Sequence, residues 1–315
     1  MNSAVSPSPL VVVALGGNAL LRRGEPATAG NQQRAAAAVA QVLRPIAERT
    51  RLVVTHGSGP QVGLLALKEE AYGGDEPYPL DVLDAESAGQ IGYVIELELD
   101  NAIDGQETVT VLTRVLVDAD DPAFGDPAKF IGPGYERERA EALASERGWV
   151  VKADGDRWRR VVASPDPKAI VQLEAIRALV AGGYLVVCVG GGGIPVITSD
   201  GGQVGVEAVV DKDLASTLLA VGLGAEVLVL ATGVDAVYTG WGTPDQHAVR
   251  EATPEWLRER SFAAGSMGPK VEAACRFATA TGGRAAIGLL DEMAGLVDGT
   301  AGTQVTLPGT RTARS

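Results

Sequence analysis

The chain has 315 residues, 46 % of them hydrophobic and 21 % charged, and a formal net charge of −13 from 27 Lys+Arg against 40 Asp+Glu. That balance describes a folded globular protein, and an acidic chain without a Lys/Arg-rich run excludes an extended nucleic-acid partner. Two cysteines, Cys188 and Cys275, offer neither a disulfide framework nor metal-ligand spacing, whereas glycine, at 40 residues, is nearly twice its usual share of ~7 %.

The elements alternate from the start. Residues 11–15 form a continuous apolar run that ends at Gly16-Gly17-Asn18, the pattern of a strand buried on both faces. Ala35, Ala38, Val39, Val42 and Ile46 recur at helical spacing, with Pro45 expected to kink or end that helix. A second strand over 51–55 stops at His56-Gly57-Ser58-Gly59, and Pro60 then sits where a helix opens. A helix over 88–99 and a strand over 108–117 follow. From 119 to 162 apolar periodicity fades among prolines and charges, which reads as a small subdomain protruding from the main sheet.

Residues 163–167 are expected to open a helix carrying Ile170, Leu173, Ile176 and Val180, closed by Gly182-Gly183. A strand over 184–189 runs into four glycines, 190–193, and a hairpin-like stretch continues to Gly202. A helix from about Asp213, a strand over 226–230, a last helix opening at Met267 and a strand over 285–288 complete the pattern. The fold class is α/β: a three-layer α/β/α sandwich around a mainly parallel open sheet, built as one domain over 1–315. The first ten residues lack the basic start and apolar core of a secretory signal, and no apolar run approaches the ~20 residues of a membrane helix. A soluble, cytoplasmic protein with no membrane partner is expected.

In an open parallel sheet, ligands bind beyond the carboxyl ends of the strands. Three of those ends carry glycines here: Gly16 and Gly17, Gly57 and Gly59 around Ser58, and Gly190 to Gly193. A single glycine pair reads as no more than a turn; three at one rim suggest backbone amides brought close to an anion. Lys212, between Asp211 and Asp213, and Lys270, just after Met267-Gly268-Pro269, stand at helix starts. Each alone reads equally well as a solvated surface charge. With the glycine turns they suggest a clamp on transferring phosphoryl oxygens. There is no Walker P-loop, G-x-G-x-x-G or H-E-x-x-H motif, and His56 and His247 are the chain's two histidines, so a multi-histidine metal site is not expected. Ser58 has no evident histidine partner for hydrolase chemistry, and His56 reads as a turn residue more than as a base.

Several segments, in order, resemble the motifs of the carbamate kinases within the amino acid kinase superfamily: VVVALGGNAL at 11–20, VTHGSGPQVG at 54–63, DPAF at 121–124, IGP at 131–133, WRRVVASP at 158–165, GGGGIPV at 190–196, GVEAVVDKDLAS at 205–216 and GSMGPKVEAA at 265–274. The resemblance implies reversible phosphoryl transfer between ATP and carbamate, with ADP and carbamoyl phosphate on the other side, Mg²⁺ bound with the nucleotide, and a homodimer. It further implies that Gly16, Gly17, Asn18, Gly57, Ser58, Gly59, Gly191 and Gly192 hold the acceptor and the phosphoryl group. Lys212 and Lys270 would neutralise phosphoryl oxygens, Asp213 would hold the two lysines, and the 119–162 subdomain would lower Lys129 over the site. The nucleotide would occupy the 163–315 half, near Gly233, Val234, Asp235, Tyr238, Met267 and Gly268. Ser58 departs from the family's usual asparagine. Two alternatives stay open on the residues alone: a kinase of the same superfamily with another acid acceptor, and a non-catalytic nucleotide-binding regulator.

Overall fold

The computed structural model describes residues 8–20, 25–26, 28–72, 78–263 and 265–309. Residues 1–7, on which the absence of a signal was partly read, lie outside the described ones. An eight-stranded sheet runs through the centre in the spatial order Glu251–Ala252, Thr303–Val305, Arg284–Leu289, Val227–Thr232, Leu10–Leu15, Arg51–His56, Leu185–Cys188, Thr108–Val111. Every neighbouring pair is parallel except Arg284–Leu289 with Thr303–Val305.

The strand Leu10–Leu15 explains the layering. All six of its residues are 2 % exposed or less, because alternate side chains enter two different cores. Val11, Val13 and Leu15 meet Val39 and Leu43 of helix Ala29–Ala47, Ile91, Ile95 and Leu99 of helix Leu80–Ala102, and Leu296 of helix Met293–Asp298. Leu10, Val12 and Ala14 pack with Ile176 and Val180 of helix Leu173–Ala181, Leu219 of helix Lys212–Leu223, and Phe277 of helix Met267–Thr281. Each Val, Leu, Ile or Phe among them contributes about 1.5–3 kcal/mol on removal from water, before entropy is counted. This is the α/β/α sandwich with a mainly parallel sheet.

Several boundaries differ from the sequence reading. The expected strand over 108–117 is two: Thr108–Val111 closes the main sheet, and Arg114–Leu116 joins a second, four-stranded sheet with Ile194–Ser199, Gly202–Gly205 and Ala169–Ile170. The chain crosses between sheets at Leu112-Thr113 with no glycine or proline to mark it. The helix expected from 163–167 begins only at Leu173, because Lys168 and Val171 donate their amides to Leu116 and Arg114 and the chain pairs as a short strand first. Pro45 lies inside helix Ala29–Ala47, which ends two residues later. Helix Met267–Thr281 is followed by a further one, Met293–Asp298.

Residues 129–162 fold as a three-stranded antiparallel sheet, ordered Lys129–Tyr135, Arg157–Val162, Val150–Asp154, with helix Arg137–Arg147 between its first two strands in sequence. The helix was hard to read because Ala140 and Leu143 are its two buried residues, a stripe too narrow to set a period. This small sheet lies against helix Gly59–Tyr72 through a separate apolar cluster of Val62, Leu80, Leu83, Ile131, Val162 and Val209.

Candidate active site

The parallel register brings the glycine turns together. Leu15 stands opposite His56, Ala14 opposite Leu230, and Val54 opposite Val187, so the turns after these four strands share one rim of the sheet. Gly57 donates its amide to Leu15 at 3.1 Å, tying the first two turns to each other. The third turn requires glycine: Gly191 and Gly192 have φ of +72° and +105°, and a Cβ on Gly191 would stand 2.5 Å from Ser58 Oγ. Just before it, buried Val189 is held at φ +53°, a strained conformation for a β-branched residue; its amide donates to Thr113 Oγ1 at 3.0 Å.

Helix Lys212–Leu223 delivers the charges. Asp211 caps it, Oδ1 accepting from the amides of Asp213 and Leu214 at 2.9 and 3.4 Å. The first turn is pinned to the second strand, since Ser216 Oγ donates to the Lys212 carbonyl and lies 2.6 Å from Thr55 Oγ1. The Lys212 stem then runs over Gly57: a Cβ there would be 3.4 Å from Lys212 Cδ and 3.5 Å from the Gly17 nitrogen. Asp213 accepts from Lys212 Nζ on one oxygen at 2.7 Å and from Lys270 Nζ on the other at 3.1 Å. The three side chains are 12, 5 and 14 % exposed for Lys212, Asp213 and Lys270, so the group is desolvated and carries one net positive charge.

The electrostatics follow from that burial. Burial alone would raise the Asp213 carboxyl, but the two lysines outweigh it and hold it at about 2. Burial presses the Lys212 ammonium below its ordinary value; Asp213 opposes this, and Lys270 adds to it. His56 is 1 % exposed, its ring against Gly190, and burial takes it down to about 4 against the pull of the Gly57 carbonyl. It is neutral at pH 7, a packing residue beneath the turn.

Lys129 reaches in from the small sheet. Its Nζ lies 2.5 Å from Asp211 Oδ2, so one carboxylate both caps the helix and receives the third lysine. Asp211 was missed as a site residue in the sequence, although an aspartate directly before a helix start is a capping signal. Gly16 abuts the Ala231 carbonyl, Gly17 abuts Pro60, and Gly59 starts helix Gly59–Tyr72. Asn18 lies in the short helix Gly17–Leu20, and its side chain is outside the described ones.

A second group gathers after strand Val227–Thr232, where Gly233 and Val234 lead to Asp235. Asp235 accepts from Tyr238 Oη at 2.6 Å and from Arg250 Nη2 at 2.7 Å, and these partners hold its carboxyl below the usual range. Tyr238 meets Trp241 edge-on, ring centroids 5.4 Å apart. Arg250 and Trp241 are distant in sequence from any motif. Met267 and Gly268 begin the helix that carries Lys270 one turn later, with Gly268 donating to the Ala263 carbonyl at 2.8 Å.

The chain resembles known proteins over nearly its whole length. The model of the amino acid kinase family matches residues 9–288. The chain is 52 % identical to a carbamate kinase of Rhizobium meliloti over 297 residues, covering 93 % of this chain and 92 % of the relative. It is 51 % identical to the carbamate kinase of Escherichia coli K12, covering 94 % and 99 %. Among solved structures, carbamate kinase from Giardia lamblia bound to AMP-PNP superposes with a TM-score of 0.86 at 36 % identity, over 95 % of this chain and 98 % of that one. Similarity of this extent over nearly the full length means that the chain belongs to the carbamate kinases of the amino acid kinase family.

Proposed function

We infer that this phosphotransferase interconverts ATP plus carbamate with ADP plus carbamoyl phosphate, working mainly toward ATP. The observation that carries the reading is the buried Lys212–Asp213–Lys270 group beside three glycine turns on one sheet rim. In the ATP-forming direction a β-phosphate oxygen of ADP attacks the phosphorus of carbamoyl phosphate. The bond from phosphorus to the carbamate oxygen breaks, and carbamate leaves and decomposes to ammonia and CO₂. Both oxygens involved are already anionic, so no general base is needed. The obstacle is repulsion between anions, which fixed positive charge and oriented amides remove.

Each residue then has a task. Gly16, Gly17, Asn18, Gly57, Ser58, Gly59, Gly191 and Gly192 bind the acceptor and the phosphoryl group; the buried Ser58 Oγ, which has no partner among the described residues, suits an acceptor oxygen. Lys212 and Lys270 neutralise the phosphoryl oxygens, and the arriving polyanion, like Asp213, favours the charged form of Lys212 against its burial. Asp213 keeps the lysines parallel. Lys129, on the 119–162 flap, closes the site. Gly233, Val234, Asp235, Tyr238, Met267 and Gly268 border the nucleotide. No group of three or more His, Cys, Asp or Glu side chains fit to hold a metal exists among the described residues, and lysines occupy Asp211 and Asp213. The site therefore suits Mg²⁺ carried on the nucleotide's phosphates, where it adds to charge neutralisation. A homodimer in the cytoplasm completes the reading; among the described residues no helix is long and apolar enough to cross a membrane.

The test is ATP formation from ADP and carbamoyl phosphate with Mg²⁺, followed in a coupled assay. Turnover is expected. Tight ADP binding without ATP would indicate a regulator, and turnover only with another acyl phosphate would indicate a different acceptor. Sedimentation of the purified chain tests the dimer.

A further inference from the structure

The flap strand Lys129–Tyr135 crosses helix Gly59–Tyr72 with backbone against backbone. A Cβ placed on Gly63 would lie 2.2 Å from Gly132 Cα and 2.3 Å from its nitrogen. Carbon atoms in contact prefer ~3.5 Å or more, so any side chain at Gly63 must push the strand away by about 1 Å. Gly132 has little freedom to yield. Its φ is +68°, its carbonyl accepts from Arg159 Nε at 3.1 Å, and the Arg159 guanidinium lies over the Phe130 ring at 5.6 Å. Ile131, 2 % exposed, fixes the seat in the apolar cluster with Val62.

What the crossing connects gives it meaning. Gly63 stands one turn into the helix that begins at the Ser58-Gly59 turn. Lys129 stands three residues before Gly132 on the same strand, its Nζ 2.5 Å from the Asp211 carboxylate that caps the helix of Lys212 and Asp213. We propose that the Gly63–Gly132 crossing is a positioning contact for Lys129: it sets how deeply the flap strand seats on the acceptor-side helix, and so where the Lys129 ammonium stands at the mouth of the phosphoryl site. The proposal rests on the role given to Lys129 above. Residues 129–131 pair in register with Val162, Val161 and Arg160, and Gly132 follows directly where that register shifts. A displacement at Gly132 is therefore carried through Ile131 into the paired segment that ends at Lys129, and an error of about 1 Å in a reacting geometry can cost up to ~100-fold in rate.

Four full-length proteins test this: wild type, Gly63→Ala, Lys129→Ala and the double variant, compared by kcat/KM for carbamoyl phosphate and by melting temperature. Gly63→Ala is expected to lower kcat/KM by up to about tenfold, no more than Lys129→Ala does, while keeping a cooperative melting transition, and to have less than about a twofold effect when Lys129 is already alanine. Equal fold-losses in both backgrounds would overturn the proposal, because damage to the helix itself does not depend on Lys129. So would an active Gly63→Ala beside an impaired Lys129→Ala. An unimpaired Lys129→Ala instead removes the role assigned to that lysine, and the proposal with it. If Gly63→Ala does not fold, Ile131→Val loosens the same seat without a clash. Its loss of kcat/KM must then vanish in the Lys129→Ala background, and a persisting loss overturns the proposal.

Discussion

The clamp and the flap both set lysine against aspartate, yet they are built in opposite ways. Lys212 and Lys270 are 12 and 14 % exposed and share one carboxylate that is 5 % exposed, on helices whose other faces lie in the main core. Lys129 is 35 % exposed and belongs to a thin sheet with solvent on much of its surface, laced with exposed pairs such as Lys152–Asp126. Desolvated charges on rigid elements act strongly and do not move; half-solvated charges on a small sheet act weakly and can move. On the function proposed above, this difference would separate the work of transfer from the work of closure.

Substitution in the clamp is the most severe way to test that separation. A unit charge at ~4 Å in a medium of effective dielectric near 20 is worth about 4 kcal/mol, so Lys212→Ala or Lys270→Ala should lower kcat about a thousandfold or more. Near-normal turnover in either variant would erase the distinction between clamp and flap. Asp213→Asn comes next, with an expected loss of about a hundredfold in kcat/KM. It also removes the partner that opposes the effect of burial on Lys212. The ammonium then loses its proton at lower pH, and the alkaline limb of the pH–rate profile should move toward acid. An unmoved limb would show that Asp213 does not hold the lysine in its charged form. Lys129→Ala should cost less, about tenfold and more in KM than in kcat, as expected for closure over bound substrate.

The same contrast governs how far the sequence could be read. Strands that end at the clamp were legible because both faces are buried, which leaves unbroken apolar runs such as residues 10–15 stopped by glycine. Lys212, Asp213 and Lys270 were legible because they begin helices behind those turns. The flap showed only as a stretch of faded periodicity, and its own sheet and helix were not legible, since elements with little core leave almost no period, as Ala140 and Leu143 illustrate. Contacts between distant segments were invisible for a different reason. Nothing local to Asp211 tells that Lys129, 82 residues away, will reach it, nor that Arg250 will hold Asp235. The break at Leu112-Thr113 escaped because Val111, Thr113 and Val115 around it are β-branched residues that suit a strand in either sheet.

The rigid side also predicts a pH effect on stability. His56 is buried and neutral under the Gly190 turn, with its ionisation lowered to about 4 from an ordinary 6.5. As pH falls below 6.5 the unfolded chain takes up a proton that the folded chain refuses until about 4, so stability is lost across that window. The loss from this one group amounts to about 3 kcal/mol when complete. Denaturant unfolding at pH 7 and pH 4.5 should therefore show a smaller acid penalty for His56→Gln than for the wild type. An equal penalty in the two proteins would remove histidine from the account.

The smallest effect belongs to the flap's surface. Lys152 and Asp126 approach at 2.8 Å, but their side chains are 41 and 84 % exposed. Water screens the pair and ordering two mobile side chains offsets much of the attraction, so its worth is at most about 0.5 kcal/mol. Asp126→Ala should leave the melting temperature within about 1 °C of wild type and kcat/KM within about twofold. A larger loss of activity with unchanged melting would mean that the pair steers the flap and not merely decorates it. The sharp line between rigid clamp and loosely tethered flap would then have to be redrawn, with the tether counted among the groups that place Lys129.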